Sequence, residues 1–538
     1  QSYLIGLKKS NKDSKDGPSM CIAFEGMIDD AETEYCCIVV VFVTDDDGGS
    51  SKGRKLLVIK RPWLLAPACT SHQFNLVLGD YFKENEEAAE TAEDASELLG
   101  WLLNHTKVRA IFDEVQVEKN SKALAYLTAN LTRWTTHSVA FRRLLNLKEP
   151  LRQAAFLRRQ EIIAAQVGAE KNAKAKEKMT EVANTQCDLL ENGIFWKSLQ
   201  TVADDIEPIC YAVNINQSDS ARPDQILLSF GGLYRHFSCH PNASVVAGMK
   251  KRLEKRWKAF DQAVYIFALV LNPFEQLDRF GDKSKTSPFT LLSSFIAFYR
   301  RMKSRPLSDL ANAEEQKTFE EEKLHKEKEV SKAFTSYLAG THDFGDWEEN
   351  KDIIEESMVN LSFINPVTFW ESLKNNANIK ELAEFSIVIL KLVLNSAGNE
   401  RVFSDLGIKK TRLRNRLTLP RLKKMSKASG LHLELGLQEK RKKRKNHDDE
   451  KVEQLLEVPR YELAVDDDDE VEDDAGPKSK FVKSRAAWRK ELEKWKGDEA
   501  DRSDSDEENI NLHAGGRWLP ITLENLLEEQ LGNQLKST

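Results

Sequence analysis

The sequence predicts an α/β region over residues 1–100 followed by a mostly helical body and a charged tail. Three observations predict it. Cys36–Val43 is β-branched and nearly all apolar, the composition of a strand buried on both faces. From about residue 85 to 395, apolar and charged positions recur at helical spacing. Past residue 440 the chain is low in complexity and dense in charge, which predicts a mainly disordered tail.

Taken in order, Ser2–Leu7 reads as a short strand, and Lys15, Asp16, Gly17 and Pro18 as the turn after it. Residues 19–34 place Met20, Phe24, Met27 and Ile28 on one helix face. The strand Cys36–Val43 stops at the turn cluster Thr44 to Gly49, and a weaker strand, Trp63–Ala66, leads into a helix over Ser71–Phe82. Glu84–Leu103, Phe141–Val167 and Lys171–Leu190 read as helices. Residues 311–338, with Glu320, Glu321, Glu322, Lys326 and Lys328, read as a solvated helix of paired charges. Residues 379–394 become apolar nearly all round, so a helix there is buried in the core or at a subunit interface. Short helical patches are expected in the tail near Ala486–Trp495 and Leu523–Leu531.

The net charge of -7 conceals two regions. Residues 446–538 hold 13 basic and 26 acidic side chains, and residues 1–445 hold 66 and 60, so a mildly basic body carries an acidic tail. Hydrophobic residues make up 41%, enough for a sizeable core, and the longest apolar runs, Tyr35–Val43 and Ala263–Leu271, fall far short of a membrane span. Seven cysteines in 538 residues do not form a disulfide framework and fit a reducing compartment. The first residue is Gln1, not Met, which reads as a fragment or processed product.

Four stretches have the residue types for chemistry. Asp45 follows a strand, where rigid backbone would hold a carboxylate for a metal ion; the same residues also suit a plain acidic turn. Cys69-Thr-Ser-His72 is half a zinc site at best, and His236, Cys239 and His240 form a second Cys/His group that packing alone would explain. In Thr132-Arg133-Trp134 the cation could pair with a phosphate while the indole stacks on an extruded base, or the Trp could simply pack in a helical bundle. Ser396-Ala-Gly-Asn-Glu-Arg-Val-Phe-Ser404 precedes Lys409, Lys410, Arg412, Arg414, Arg416, Arg421, Lys423 and Lys424. Those eight cations have no acidic residue among them and suit either phosphate contacts or a solvated face.

Together these motifs resemble the hAT superfamily of DNA transposases over roughly residues 1–430. Leu382–Leu394, then Ser396–Ser404, then Arg414-Asn415-Arg416-Leu417 is similar to the family's C-terminal dimerisation region, and the four motifs follow the family order. The resemblance implies a partial RNase H-like core interrupted by a large all-helical insertion. The N-terminal part of that core would occupy residues 1–100, the insertion 101–365, the dimerisation region completing the core 366–430, and the charged tail 431–538. It implies Asp45 and Glu400 as the second and third carboxylates of an Asp-Asp-Glu site for Mg²⁺, one metal activating the nucleophile and the other stabilising the leaving oxygen. Arg133, Trp134, Arg401, Lys409, Lys410, Arg412, Arg414 and Arg416 would contact DNA. Leu382, Phe385, Ile389, Leu392, Val402 and Phe403 would carry a homodimer or higher assembly, and Cys69 and His72 would match the family's Cys-x-x-His.

Two departures temper the expected activity. The family's first carboxylate lies on the first core strand, and here Asp13, Asp16, Asp29 and Asp30 sit in an expected turn or helix instead. The family's BED-type zinc finger is not seen either. The sequence therefore predicts a transposon-derived DNA-binding protein that has lost strand cleavage; the rival reading is a non-catalytic helical interaction protein or transcriptional regulator. Lys440-Arg-Lys-Lys-Arg-Lys445 has the composition of a nuclear localisation signal, which places the protein in the nucleus with no membrane partner.

Overall fold

The computed structural model describes residues 17–398 and 518–527, apart from 47, 121–122, 128–134, 285, 308–312, 348–349 and 352–364. In order, the helices are α1 (Gly17–Tyr35), α2 (Gly48–Lys60), α3 (Thr70–Glu84), α4 (Glu86–Asn104), α5 (Thr106–Asn120) and α6 (Thr135–Asn146). Next come α7 (Lys148–Leu157), α8 (Arg159–Val167), α9 (Ala173–Glu191), α10 (Gly193–Asn216), α11 (Pro223–Ser238) and α12 (Ala243–Lys258). The last are α13 (Gln262–Val270), α14 (Pro288–Met302), α15 (Ala313–Leu338), α16 (Pro366–Leu373) and α17 (Lys380–Leu390).

This corrects the expected fold class. Among the described residues there is no strand and no sheet, so the mixed α/β, RNase H-like core is not seen. Cys36–Val43 is extended, but it meets Trp63–Ala68 only through isolated parallel bridges, Val41 with Leu65 and Thr44 with Ala68. The physical reason lies in the neighbours. A β-branched run fits a pleated surface but cannot create one, and a pair of extended segments with no third partner is not a stable sheet. Ile38 is 63% exposed, and Cys36 opens the run in a left-handed conformation, φ 47°. The Ser2–Leu7 strand lies outside the described residues.

Local signals account for the helix starts. Asn85, Asn172, Asn192, Asn242, Ser287 and Asn365 cap α4, α9, α10, α12, α14 and α16, each accepting a backbone N–H of the first turn. Pro223, Pro288 and Pro366 begin α11, α14 and α16, where a missing N–H costs nothing.

Two cores result. The smaller packs Cys21, Phe24 and Ile28 of α1 against Leu57 of α2, with Phe42, Leu64 and Ala66 of the extended pair. The larger runs from Leu65 through α3 to α17 and includes Leu523 and Leu526. At its centre α13 is apolar all round from Ala263 onward and buried along its whole length, as such a helix must be. The Ala263–Leu271 run thus serves the core, and no helix among the described residues is long and apolar enough to cross a membrane. Phe295 stacks on Phe334 at 3.8 Å, and Phe267 on Phe298 at 5.7 Å, beside α13.

Helices α1 and α2 cross at Gly53. A Cβ built there would lie 2.8 Å from Met20 Cβ and 2.9 Å from Phe24 Cε2, whereas one on Gly26 meets nothing within 4 Å. Gly53→Ala is therefore expected to lose about 1–3 kcal/mol through overpacking. Gly26→Ala should instead gain up to about 1 kcal/mol of helix propensity. Urea denaturation of both variants checks the pair, and a stabilised Gly53→Ala would contradict the close crossing.

Candidate functional site

Three segments far apart in sequence meet where α3 begins. The extended pair is held by Phe42 N–H donating to the Leu65 carbonyl and Leu65 N–H to that of Val40, both at 2.9 Å. Cys69 N–H then donates to the Thr44 carbonyl at 2.9 Å, so both segments end at one level, with Cys69 at the N-cap of α3. The third segment comes from the other end of the body. Beyond α17 the chain runs extended, and the Leu394 carbonyl accepts both the N–H and the hydroxyl of Thr70, each at 3.0 Å. Ser396 N–H points at Cys69 Sγ, 3.3 Å away. The Asn395 amide donates to the Ser218 carbonyl at 3.0 Å, and its oxygen accepts Ala397 N–H at 3.0 Å.

Cys69 is thus the pin of the junction. It is fully buried, and burial pushes its thiol pKa up, partly offset by the Ser396 and His72 amides, with Asp45 adding to the rise. His72, half-buried, lies in the first turn of α3. Alkylation needs the thiolate. Iodoacetamide at neutral pH is therefore expected to label the exposed Cys36 well before Cys69, as peptide mapping would show. Equal rates would contradict the buried pin.

The two described carboxylates at the junction differ. Asp45 is exposed, and its neighbour Asp46 is engaged by Arg54 of α2. The Arg54 guanidinium donates to the Asp45 carbonyl at 2.7 Å, to Asp46 Oδ1 at 2.6 Å, and also to the Thr44 hydroxyl. From Asp46 a largely buried polar chain runs inward. Gln73 Nε2 donates to Asp46 Oδ2 at 3.1 Å, Arg256 Nη1 to Gln73 Oε1 at 3.1 Å, and Arg256 Nε to Asp80 Oδ2 at 2.7 Å. Arg252 joins Asp80 at 3.2 Å and pairs with Glu84. Deeper still, the Tyr265 hydroxyl is buried with no hydrogen-bond partner among the described residues, and its pKa is raised by burial, then by Asp261 and Cys69.

The described donors alone do not complete a site for a divalent cation. Among the described residues no three His, Cys, Asp or Glu side chains are grouped to hold a metal, and Arg54 sets a guanidinium beside Asp45 and Asp46. Glu400 lies outside the described residues, as do Arg133, Trp134, Arg401, Val402, Phe403, Lys409, Lys410, Arg412, Arg414 and Arg416.

Leu382, Phe385, Ile389 and Leu392 are buried in the chain's own core. The Phe385 ring meets Tyr299 at 5.1 Å, Phe295 at 5.7 Å and Phe298 at 5.8 Å. Val388, 43% exposed, is the large apolar side chain of α17 that faces outward. The second Cys/His group is also structural. His240 Nε2 lies 3.1 Å from Asp205 Oδ2, which accepts the Tyr81 hydroxyl at 2.7 Å, while His236 is 3.7 Å from Oδ1. Burial would raise the Asp205 carboxyl, but these hydrogen bonds outweigh it and hold the pKa below the usual value.

Arg54, Asp46, Gln73 and Asn395 are site residues that motif reading missed. The available signal was Arg54, a cation seven residues past the acidic run Asp45–Asp47. No family model matches this chain, and no curated protein matches it.

Proposed function

We propose that this chain derives from a hAT-type transposase and acts as a nuclear, self-associating DNA-binding protein that no longer cleaves DNA. The observation that carries the reading is the junction: Thr44–Asp45, Cys69–Thr70 and the approach to Ser396–Ser404, three of the four resembling motifs, meet through Cys69, Thr70 and Leu394. A chance likeness of short motifs gives no reason for them to meet in space. DNA contact is assigned to the basic segment 409–424, which follows this junction in sequence. Self-association is assigned to Val402 and Phe403, since the apolar face of α17 is taken up inside the chain.

Loss of cleavage is supported by Arg54, whose guanidinium pairs with Asp46 and donates to the Asp45 carbonyl, so that a positive charge lies next to the expected carboxylate. Duplex DNA incubated with the full chain and Mg²⁺ is expected to be bound and not nicked. Robust nicking that disappears in Asp45→Ala or Glu400→Ala would overturn this part of the reading.

The helical interaction protein is the second reading, and the all-helical character of the described residues favours it. Salt-independent DNA retention, or none, would decide for it.

A further inference from the structure

Ten residues of the tail, Trp518–Leu527, lie in a groove between α11, α12 and α13, although residues 399–517 separate them in sequence from the body. The groove reads their backbone. Gln262 on α13 pairs with Ile521 in both directions, its amide nitrogen donating to the carbonyl at 3.0 Å and its oxygen accepting the N–H at 2.9 Å. Trp257 Nε1 donates to the same carbonyl at 2.8 Å. The Glu254 carboxylate accepts the Leu523 and Glu524 amides at 3.0 and 2.9 Å, and Lys250 pairs with the Glu524 side chain at 2.8 Å. At the ends, the Trp518 indole donates to the Ser284 carbonyl at 2.8 Å, and Gly281 N–H to that of Leu526 at 2.8 Å.

Side chains add selectivity. Leu523 and Leu526 are fully buried and Leu519 is 5% exposed. On α11, Gly231 leaves room for Leu527, since a Cβ there would come within 3.0 Å of Leu527 Cδ1. The spacing of four and then three between Leu519, Leu523 and Leu526 is that of anchors on one helix face, and laying such a face into an apolar groove is one way proteins recognise short peptides. With the segment in place Gln262 is 1% exposed, and its amide also donates to the Trp257 carbonyl at 3.3 Å, so Gln262 and Glu254 are held where they meet the backbone of the segment.

We infer that the α11–α12–α13 surface is a peptide-recognition groove and that Trp518–Leu527 is its tethered resident ligand, a reversible latch between tail and body. The ligand class is a segment of the pattern Trp-Leu-Pro-x-Thr-Leu-x-x-Leu-Leu. Because the segment belongs to the same chain, it competes intramolecularly with any peptide added in trans.

A fluorescent synthetic peptide of residues 516–529 tests this on the full chain. It is expected to bind Leu523→Asp, in which the resident copy is weakened, at least about ten-fold more tightly than wild type. Adding Gln262→Ala to Leu523→Asp should abolish that binding. Equal affinity for wild type and Leu523→Asp, or no binding to a Leu523→Asp chain of unchanged helicity, would overturn the inference. Should Leu523→Asp lose helicity, the milder Trp518→Ala carries the same comparison. Loss of helicity in both would make the segment part of the fold and overturn the latch.

Discussion

Asp80→Ala is expected to destabilise the folded chain by about 3–5 kcal/mol, among the largest effects of any single substitution in it. Asp80 is 1% exposed and receives Arg256, whose side chain is 8% exposed, with Arg252 and Lys83 nearby. Removing the carboxylate leaves a buried guanidinium whose next acceptor is Gln73. The cost arises from the stranded charge more than from the lost attraction, so the pair Asp80→Leu with Arg256→Met should recover much of it. Urea denaturation of the two single variants and the double variant measures the coupling. A loss under about 1 kcal/mol for Asp80→Ala would mean that the charges are solvated. The same network reaches Asp46 through Gln73, so Asp80→Ala should also loosen the junction at Cys69 and speed its alkylation.

Replacing Lys409, Lys410, Arg412, Arg414 and Arg416 together by Gln is expected to weaken duplex binding more than about a hundred-fold at low salt, and to flatten its salt dependence by about four log units per log unit of salt, if each cation neutralises one phosphate. Filter binding at several salt concentrations checks both expectations. Unchanged affinity would move DNA contact away from this segment.

Helices with clear periodicity were legible in the sequence. The 19–34 pattern became α1, Ser71–Phe82 became α3, and the all-round apolar run at 379–394 supplied α17 and the buried Leu392 and Leu394 beyond it. The strands were not, for a physical reason. Composition shows that Cys36–Val43 suits burial, but a sheet depends on partners elsewhere in the chain, and here the partners are helices and one short parallel segment. Helix α2 was missed because Gly48-Gly-Ser-Ser reads as turn, and its Leu57 is held by tertiary packing against α1.

At the junction, motif reading found Asp45 and Cys69 but not what surrounds them. Arg54, Gln73 and Arg256 have no local pattern, and their roles arise only when α2, α3 and α12 come together. The same limit explains the latch. Leu523–Leu531 read as a helical patch, and helix does form over 523–527, but only the fold reveals Glu254 and Gln262 meeting the segment's backbone.

The most direct test of the DNA-binding account is the affinity of the full chain for duplex DNA across a salt series. The account predicts a log–log slope of about -4 or steeper, from at least five phosphate contacts. A flat response from low to physiological salt would contradict it.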